Sequence, residues 1–374
     1  MTREIRVAVS PGEWRTALIE DGRPVEFWVE RPARPDGVGD LVRVRVAALA
    51  PAMAGAFCTL PGDVTGFLPE SEAGQAKAPI AKQVSEGMAI AVRVTRAAQG
   101  GKGPRLTARL TPEEAGFAAA AEAGAPRLLR RGRPAALRLA ARFPAAPLLC
   151  DGLALAAAWG VPPLRGHAFD DELEAGFDEA CGPAVPLPGG GRMSIHPTPA
   201  LVAIDVDAGS AAGARGDALP ALNAAAIAQA ARQIRLRNLA GAILVDVAGL
   251  PAKKRAALAE PFAAALAPDP LARLIGVTGL GLVEIQRARV HAPLHEVMAG
   301  PLAAGLAALR AAGREAASRG GARLALRAVP AVIAALRDLP GALEAYAGDA
   351  GFPLALRPDA TAAGWTIEES DDGR

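Results

Sequence analysis

Polar and apolar residues alternate from the third position of the chain. "EIRVAVS", "WRTALIED" and "PVEFWVERP" change character at every second residue, the period of half-buried strands. Asp21-Gly22 separates the second run from the third and signals a two-residue hairpin turn. The Pro/Gly-rich "RPARPDGVGD" closes this unit near residue 40. Five more short runs follow: "LVRVRVAALA", "GAFCTLP", "TGFLPES", "GMAIAVRVTRAA" and "PRLTARL". Pro61-Gly62-Asp63 and Gly100-Gly101 supply turns between them, and five strands in about 70 residues predict a small all-β barrel.

The period then lengthens. "TPEEAGFAAAAEAGAP" opens with Thr111, Pro112 and Glu114, a capping-box pattern, and with "RLLRRGRPAALRLAARF" it predicts helix over 111–142. "PLLCDGLALAAAWG" suggests a strand and then a helix, and "DDELEAGFDEACG" an acidic helix. "VPLPGGGRMSIHPTPALVAIDVDAG" suggests a β-hairpin closing on Asp205. A long helix with Asp217 as its N-cap and Gly241 as its C-cap leads to the buried strand "AILVDV". "AKKRAALAEPFAAALA" reads as helix and "RLIGVTGLGLVEIQRAR" as a strand, a turn and a second strand or helix. Strand–helix–strand alternation predicts an α/β layer with parallel pairing. Beyond residue 298 come a helix, the strand "ARLALRA", more helix and a last strand "PLALRPD", a separate small α+β unit with a solvated tail.

Composition narrows the class. The 374 residues are enough for two or three domains at ~150 residues each, and 51% hydrophobic content allows packed cores. A net charge of +2 does not by itself imply nucleic acid. Cys58, Cys150 and Cys181 are too sparse for a disulfide framework or a cysteine-built zinc site. His291 and His295 stand four apart, a spacing that suits one helical face, but no HExxH pattern surrounds them. The N-terminus has no apolar leader, and no uncharged apolar run reaches the ~18 residues of a membrane span. A cytoplasmic chain without membrane contact is expected.

Candidate chemistry gathers at strand ends. Asp205 and Asp246 each close an apolar strand, at the edge where open α/β sheets bind ligands. If the strands are neighbours, the two carboxylates need a cation between them, and Mg²⁺ suits one or two carboxylates completed by water and phosphate oxygens. The alternative is that both cap the next turn or helix, and a carboxyl separation beyond about 8 Å would favour it, since Mg²⁺ bonds are ~2.1 Å long. Asp207 shares a face with Asp205. Arg235 and Arg237 complement the dipole at a helix C-terminus or face phosphate. In the barrel, Phe57 and Phe67 are either core or a surface on which bases stack, with Lys102 supplying charge.

Taken together, "LPGGGRMSIHPTPALVAIDVDAGSA", "NAAAIAQAARQIRLRNLAGAILVDVAGL" and "GLGLVEIQRAR" resemble the catalytic core of the ribonuclease E/G family. "APAMAGAFCTLPGDVTGFLPESEA" with "GGKGPRLT" resembles that family's S1 barrel. The resemblance covers most of residues 1–298. It implies a multi-subdomain α/β fold with an inserted S1-like (OB-type) β-barrel, a mixed-sheet α/β catalytic core and a small C-terminal α+β domain. The boundaries it implies are 1–37 for N-terminal strands of an RNase H-like subdomain, 38–110 for the barrel, and 111–145 for a reduced helical insert, a sensor remnant. The rest of the RNase H-like subdomain then occupies 146–185, the catalytic core 186–298 and the C-terminal domain 299–374. Asp205 and Asp246 match the aspartates that hold one catalytic Mg²⁺. Phe57, Phe67 and Lys102 match RNA-contacting positions, and Asp207, Arg235 and Arg237 join the RNA-binding set.

The sequence departs from the family pattern at several points. The insert has no Arg-Thr pair of the 5′-monophosphate sensor, and no Cys-x-x-Cys zinc link follows the core, so no structural zinc is implied. Asp207 stands where the family has asparagine, Gly249 where an acid is expected, and Thr278–Gly281 where the family has "SRFG". The expected function is a Mg²⁺-dependent endoribonuclease acting on single-stranded RNA in RNA processing or decay, with a homodimer not linked by zinc left open. The alternative is a catalytically impaired RNA-binding paralogue that lost turnover through Gly249 and Gly279.

Overall fold

The structure is a computed structural model, and it describes residues 2–74, 78–122, 124–209 and 218–370. Asp217, expected as a helix cap, lies outside the described residues. Contacts divide the chain into two units, one of Met1–Arg34, Ala135–Ala288 and Pro293–Arg374, the other of Pro35–Pro134 and Arg289–Ala292.

The three alternating N-terminal runs form β1 (Arg3–Ser10), β2 (Glu13–Glu20) and β3 (Arg23–Glu30), an antiparallel meander. Asp21 and Gly22 both take left-handed backbone, φ 47° and 77°, as the two-residue turn requires.

In the second unit, β4 (Leu41–Ala50), β5 (Gly55–Thr59), β6 (Thr65–Pro69), the one-turn helix α1 (Ile80–Gln83), β7 (Ala89–Arg96) and β8 (Arg105–Thr107) form the expected barrel. The strands run in the order β5-β6-β8-β7-β4, and β4 pairs back to β5 to close the circle. Val44, Val46, Cys58, Leu68, Val92 and Leu106 fill the interior. Helix α2 (Pro112–Ala120) carries the capping box: Thr111 Oγ1 accepts from the Glu114 amide at 3.2 Å and Glu114 accepts from the Thr111 amide at 2.8 Å. The predicted helix over 111–142 is nevertheless broken. Arg127–Arg130 forms β9 along the free edge of β4, because pairing with that edge outweighs the helix propensity of "RLLR".

The first unit resumes with α3 (Ala135–Arg142), β10 (Leu148–Cys150), α4 (Leu153–Trp159) and α5 (Asp171–Cys181). Strand β10 pairs in parallel with β1 and completes the order β10-β1-β2-β3. Next come β11 (Ala184–Pro186), β12 (Arg192–Pro197), β13 (Val202–Asp207), α6 (Ala218–Leu236), β14 (Gly241–Asp246), the adjoining α7 (Ala252–Arg255) and α8 (Ala259–Leu266), β15 (Ala272–Val277) and β16 (Val283–Arg287). The six strands order as β11-β12-β13-β14-β16-β15, with β13 and β14 parallel and joined through α6. Val202, Ile204, Val206, Ile243, Val245 and Ile285 pack one face onto α6 and α8.

Helix α6 ends one turn before Gly241. Asn238 takes the left-handed position at φ 52°, its amide bonds to Arg235 O at 3.1 Å, and the Leu239 amide bonds to Ile234 O at 2.9 Å. This is a Schellman closure with asparagine in place of glycine, and Gly241 instead opens β14.

The chain continues through α9 (Leu294–Val297), α10 (Gly300–Ser318), β17 (Leu324–Ala328), α11 (Pro330–Arg337), α12 (Ala342–Ala350), β18 (Ala355–Pro358) and β19 (Trp365–Glu369). The expected last strand is therefore not the last: β19 lies antiparallel on β17 and completes a three-stranded sheet. The whole is the mixed α/β arrangement with an OB-type barrel that the sequence implies. Among the described residues, no helix is long and apolar enough to cross a membrane.

Candidate functional site

Strand alternation gives the six-stranded sheet one buried and one open face. Since the even-numbered residues of β13 are buried, Ala203, Asp205 and Asp207 project from the other side, where both aspartates are exposed. Asp205 is in register with Asp246 on the parallel neighbour β14 and with Ser194 on β12. Residues at equal register on adjacent strands share a face, and adjacent strands lie ~4.8 Å apart. The two carboxylates are thus presented side by side at the carboxyl ends of two parallel strands. His196 and Glu284 belong to the next row of this face, through Ala203 and Leu244.

Among the described residues the Asp205 carboxylate has no hydrogen-bond or ion-pair partner, whereas Asp246 Oδ1 accepts from Arg255 Nη1. Arg255 also donates through Nε to Leu250 O at 2.7 Å and through Nη1 to Gly281 O at 3.3 Å. It is 15% exposed while the Asp246 side chain is 47% exposed, so a nearly buried guanidinium holds one oxygen of an accessible carboxylate. Asn223 of α6 supports the turn after Asp246 by donating to Ala248 O at 2.9 Å. Sequence reasoning missed both residues. Arg255 lies nine positions from Asp246 across a turn, a separation that no helix or strand period links.

The pair fits a hard divalent cation in its donor chemistry, two anionic oxygen ligands with an open side for water and phosphate oxygens. No group of three His, Cys, Asp or Glu suited to a metal exists among the described residues, so the protein offers part of a coordination shell and not a closed cage. Gly249, where an acid was expected, has φ +62°, and a Cβ there would lie 2.7 Å from Leu219 Cδ2. The backbone at this point is shaped for glycine.

In the barrel, Phe57 and Phe67 are cross-strand partners with ring centroids 5.5 Å apart at 62°. Both are half-buried on the outer surface, since Ala56, Cys58, Gly66 and Leu68 point inward. They line a cleft of about 880 Å³ together with Arg96 and the exposed Lys102.

Arg235 and Arg237, expected in the RNA-binding set, are both buried. Arg235 is 7% exposed and bridges Glu26 at 2.8 Å and Glu20 at 3.4 Å. Arg237 donates to Gln233 Oε1 at 2.5 Å, to Gly182 O and to Glu179 O at 3.3 Å, and burial pushes its guanidinium down to about 10. The carboxylates and carbonyls packed around the end of α6 use the donors that a phosphate would need. Asp207 lies on the open face and accepts from the Gly209 amide at 2.9 Å, an Asx-type turn. His291 contacts Asp36 Oδ2 at 2.6 Å through Nδ1; it precedes α9, so it does not share a helical face with His295.

Residues 168–290, which include both strand-end aspartates, match the family model described as Ribonuclease E/G family. A ribonuclease E of Nostoc sp. is 40% identical over 130 residues, which are 33% of this chain and 19% of that protein. Ribonuclease G of Escherichia coli (strain K12) is 26% identical over 401 residues, covering 80% of this chain and 82% of the relative. A ribonuclease E/G-like chloroplastic protein of Arabidopsis thaliana is 34% identical over 152 residues, 39% of this chain and 15% of its own length. The chain spans about a fifth of the length of the cyanobacterial ribonucleases E it matches. The core match and the relative aligned over most of its length agree with each other, and residues 168–290 are similar to the ribonuclease E/G family.

Proposed function

We propose that the chain is a Mg²⁺-dependent endoribonuclease that cuts single-stranded RNA in RNA processing or decay. The observation that carries this reading is the side-by-side presentation of Asp205 and Asp246 at equal register on the open sheet face. The names of the relatives support ribonuclease chemistry. Asp205 and Asp246 would hold the cation. A divalent ion bound there supplies a water of lowered pKa and charge neutralisation at the scissile phosphate. Arg255 fixes the rotamer of Asp246, and Asn223 fixes the turn behind it, so the carboxylate is oriented before substrate arrives. Phe57 and Phe67 would receive unpaired bases and Lys102 the backbone charge. A cytoplasmic location is part of the proposal, although one relative is named chloroplastic.

The Arg255–Asp246 ion pair favours a second reading, an RNA-binding paralogue with impaired turnover, because a guanidinium on one ligand oxygen competes with a cation. Both readings predict RNA binding, and only the first predicts cleavage. Asp205→Asn keeps the side-chain volume at an exposed position. On the enzyme reading it removes several kcal/mol of transition-state stabilisation, about a thousandfold in rate. Its affinity for an unstructured oligoribonucleotide, measured by fluorescence anisotropy, stays near that of the wild type. Equal turnover of a fluorogenic RNA by variant and wild type refutes the enzyme reading.

A further inference from the structure

A single row of side chains crosses the outer surface of the barrel. Phe57 on β5 is opposite Phe67 on β6, Phe67 is in register with Arg105 on β8, and Arg105 is opposite Arg96 on β7. Side chains directly opposite across strands leave the same face of a sheet. Two rings are therefore followed by two guanidinium groups, one strand spacing of ~4.8 Å at a time.

Arg96 reaches this row through an irregularity in β7. Val92 and Val94 point into the barrel, and unbroken alternation would send residue 96 inward as well. The register slips between Val94 and Arg96, so Val94 faces Leu106 while Arg96 faces Arg105. A bulge of this kind re-aims a side chain, and here it turns a cation to the outer face. Thr95 Oγ1 donates to Arg105 O at 3.1 Å and pins the distortion.

The two arginines differ from their neighbour Arg93, which pairs with Glu114 at 2.6 Å. Neither Arg96 nor Arg105 has a carboxylate partner among the described residues. Arg96 Nε is buried without a hydrogen-bond partner among them, yet the side chain lines the cleft that holds both rings. Burial, and after it the like charges of Arg105 and Arg289, press its guanidinium below the ordinary value. The Ala97 amide bonds to Val290 O at 2.9 Å, which keeps Arg289 beside Arg96. Crowded cations beside an aromatic pair are relieved by an anion that carries planar bases, and guanidinium groups match phosphate bidentately.

Resting on the RNA reading above, we infer that Arg96 and Arg105 form a phosphate subsite for single-stranded RNA, in which a base on Phe67 is followed by a backbone phosphate on the arginine pair. The subsite fixes where the strand leaves the rings, which the rings alone do not.

The test is the salt dependence of binding by the full chain to a fluorescein-labelled 12-residue oligouridylate, in EDTA so that the probe stays intact. For single strands each neutralised phosphate contributes about 0.7 to the slope of log affinity against log salt. The double variant Arg96→Gln/Arg105→Gln is expected to lose about 0.7 of that slope and about fivefold in affinity near 0.1 M salt. Phe57→Ala is expected to lower affinity and leave the slope unchanged. If the double variant does not fold, as judged by its circular dichroism melt, the wild type is assayed with probes carrying one neutral methylphosphonate linkage at successive positions. One position then lowers wild-type affinity far more than the rest, and equal effects at all positions overturn the inference. An unchanged slope in a folded double variant overturns it while leaving the RNA reading intact, whereas a wild type that binds no oligonucleotide overturns both.

Discussion

Replacing Arg235 by alanine separates a structural cation from a phosphate-binding one. The guanidinium lies between Glu26, at 2.8 Å, and Glu20, at 3.4 Å, and the three side chains are 7%, 6% and 8% exposed. Removing one partner from a buried ion pair typically costs about 3–5 kcal/mol, because the remaining charge keeps its desolvation penalty. Glu20 retains Arg3 at 2.9 Å and Glu26 retains Arg142 at 3.0 Å, which puts the expected loss near the low end, about 3 kcal/mol. With a urea m-value of about 3 kcal/mol/M, the unfolding midpoint of this unit drops by about 1 M. The assay is urea unfolding followed by far-UV circular dichroism, paired with RNA anisotropy in the absence of urea. The expected result is a large midpoint shift with RNA affinity unchanged within about twofold, since buried pairs are little screened and face no ligand. A midpoint within about 0.2 M of wild type together with weakened RNA binding would refute this reasoning, given the error of such extrapolations.

Two further predictions follow from local geometry. Gly249→Asp, which restores the expected acid, places a side chain at φ +62° with its Cβ 2.7 Å from Leu219 Cδ2, so it should cost about 1–2 kcal/mol and leave cleavage no faster; an unchanged melting temperature contradicts this. Asp170 caps α5 by accepting from the Leu173 amide at 2.9 Å, and this bond, followed by Arg6, holds its carboxyl below the ordinary 3.8. Its contribution of about 1 kcal/mol is therefore present above the unfolded-state value and lost as pH falls through the depressed folded value. The midpoint difference between wild type and Asp170→Ala should be full at pH ~6 and shrink below pH ~4, and a difference that grows in acid contradicts it.

Local rules made some of this molecule legible from sequence. Asp21-Gly22 and Thr111–Glu114 act within a few residues of themselves, so both were visible as a turn and a capping box. Asp205 and Asp246 were legible as strand ends, and the parallel pairing that aligns them followed from the helix between their strands. Where a distant partner decides, the sequence was silent. Arg127–Arg130 becomes a strand only because the edge of β4 accepts it. Nothing local distinguishes Asn238 from Gly241 as the residue that closes α6, since both tolerate left-handed backbone. The roles of Arg235 and Arg237 depended on carboxylates and carbonyls tens to hundreds of positions away. The slip before Arg96 is a register event between strands, and alternation alone would have placed that side chain inside the barrel.

The most direct test of the central claim is a Mg²⁺ titration of single-turnover cleavage of an unstructured fluorogenic RNA by wild type and Asp246→Asn. A cation held by Asp205 and Asp246 predicts no cleavage in EDTA, hyperbolic recovery with added Mg²⁺, and a curve for the variant displaced to much higher Mg²⁺ or abolished. Full-rate cleavage in EDTA, or superimposable curves for the two proteins, would contradict it.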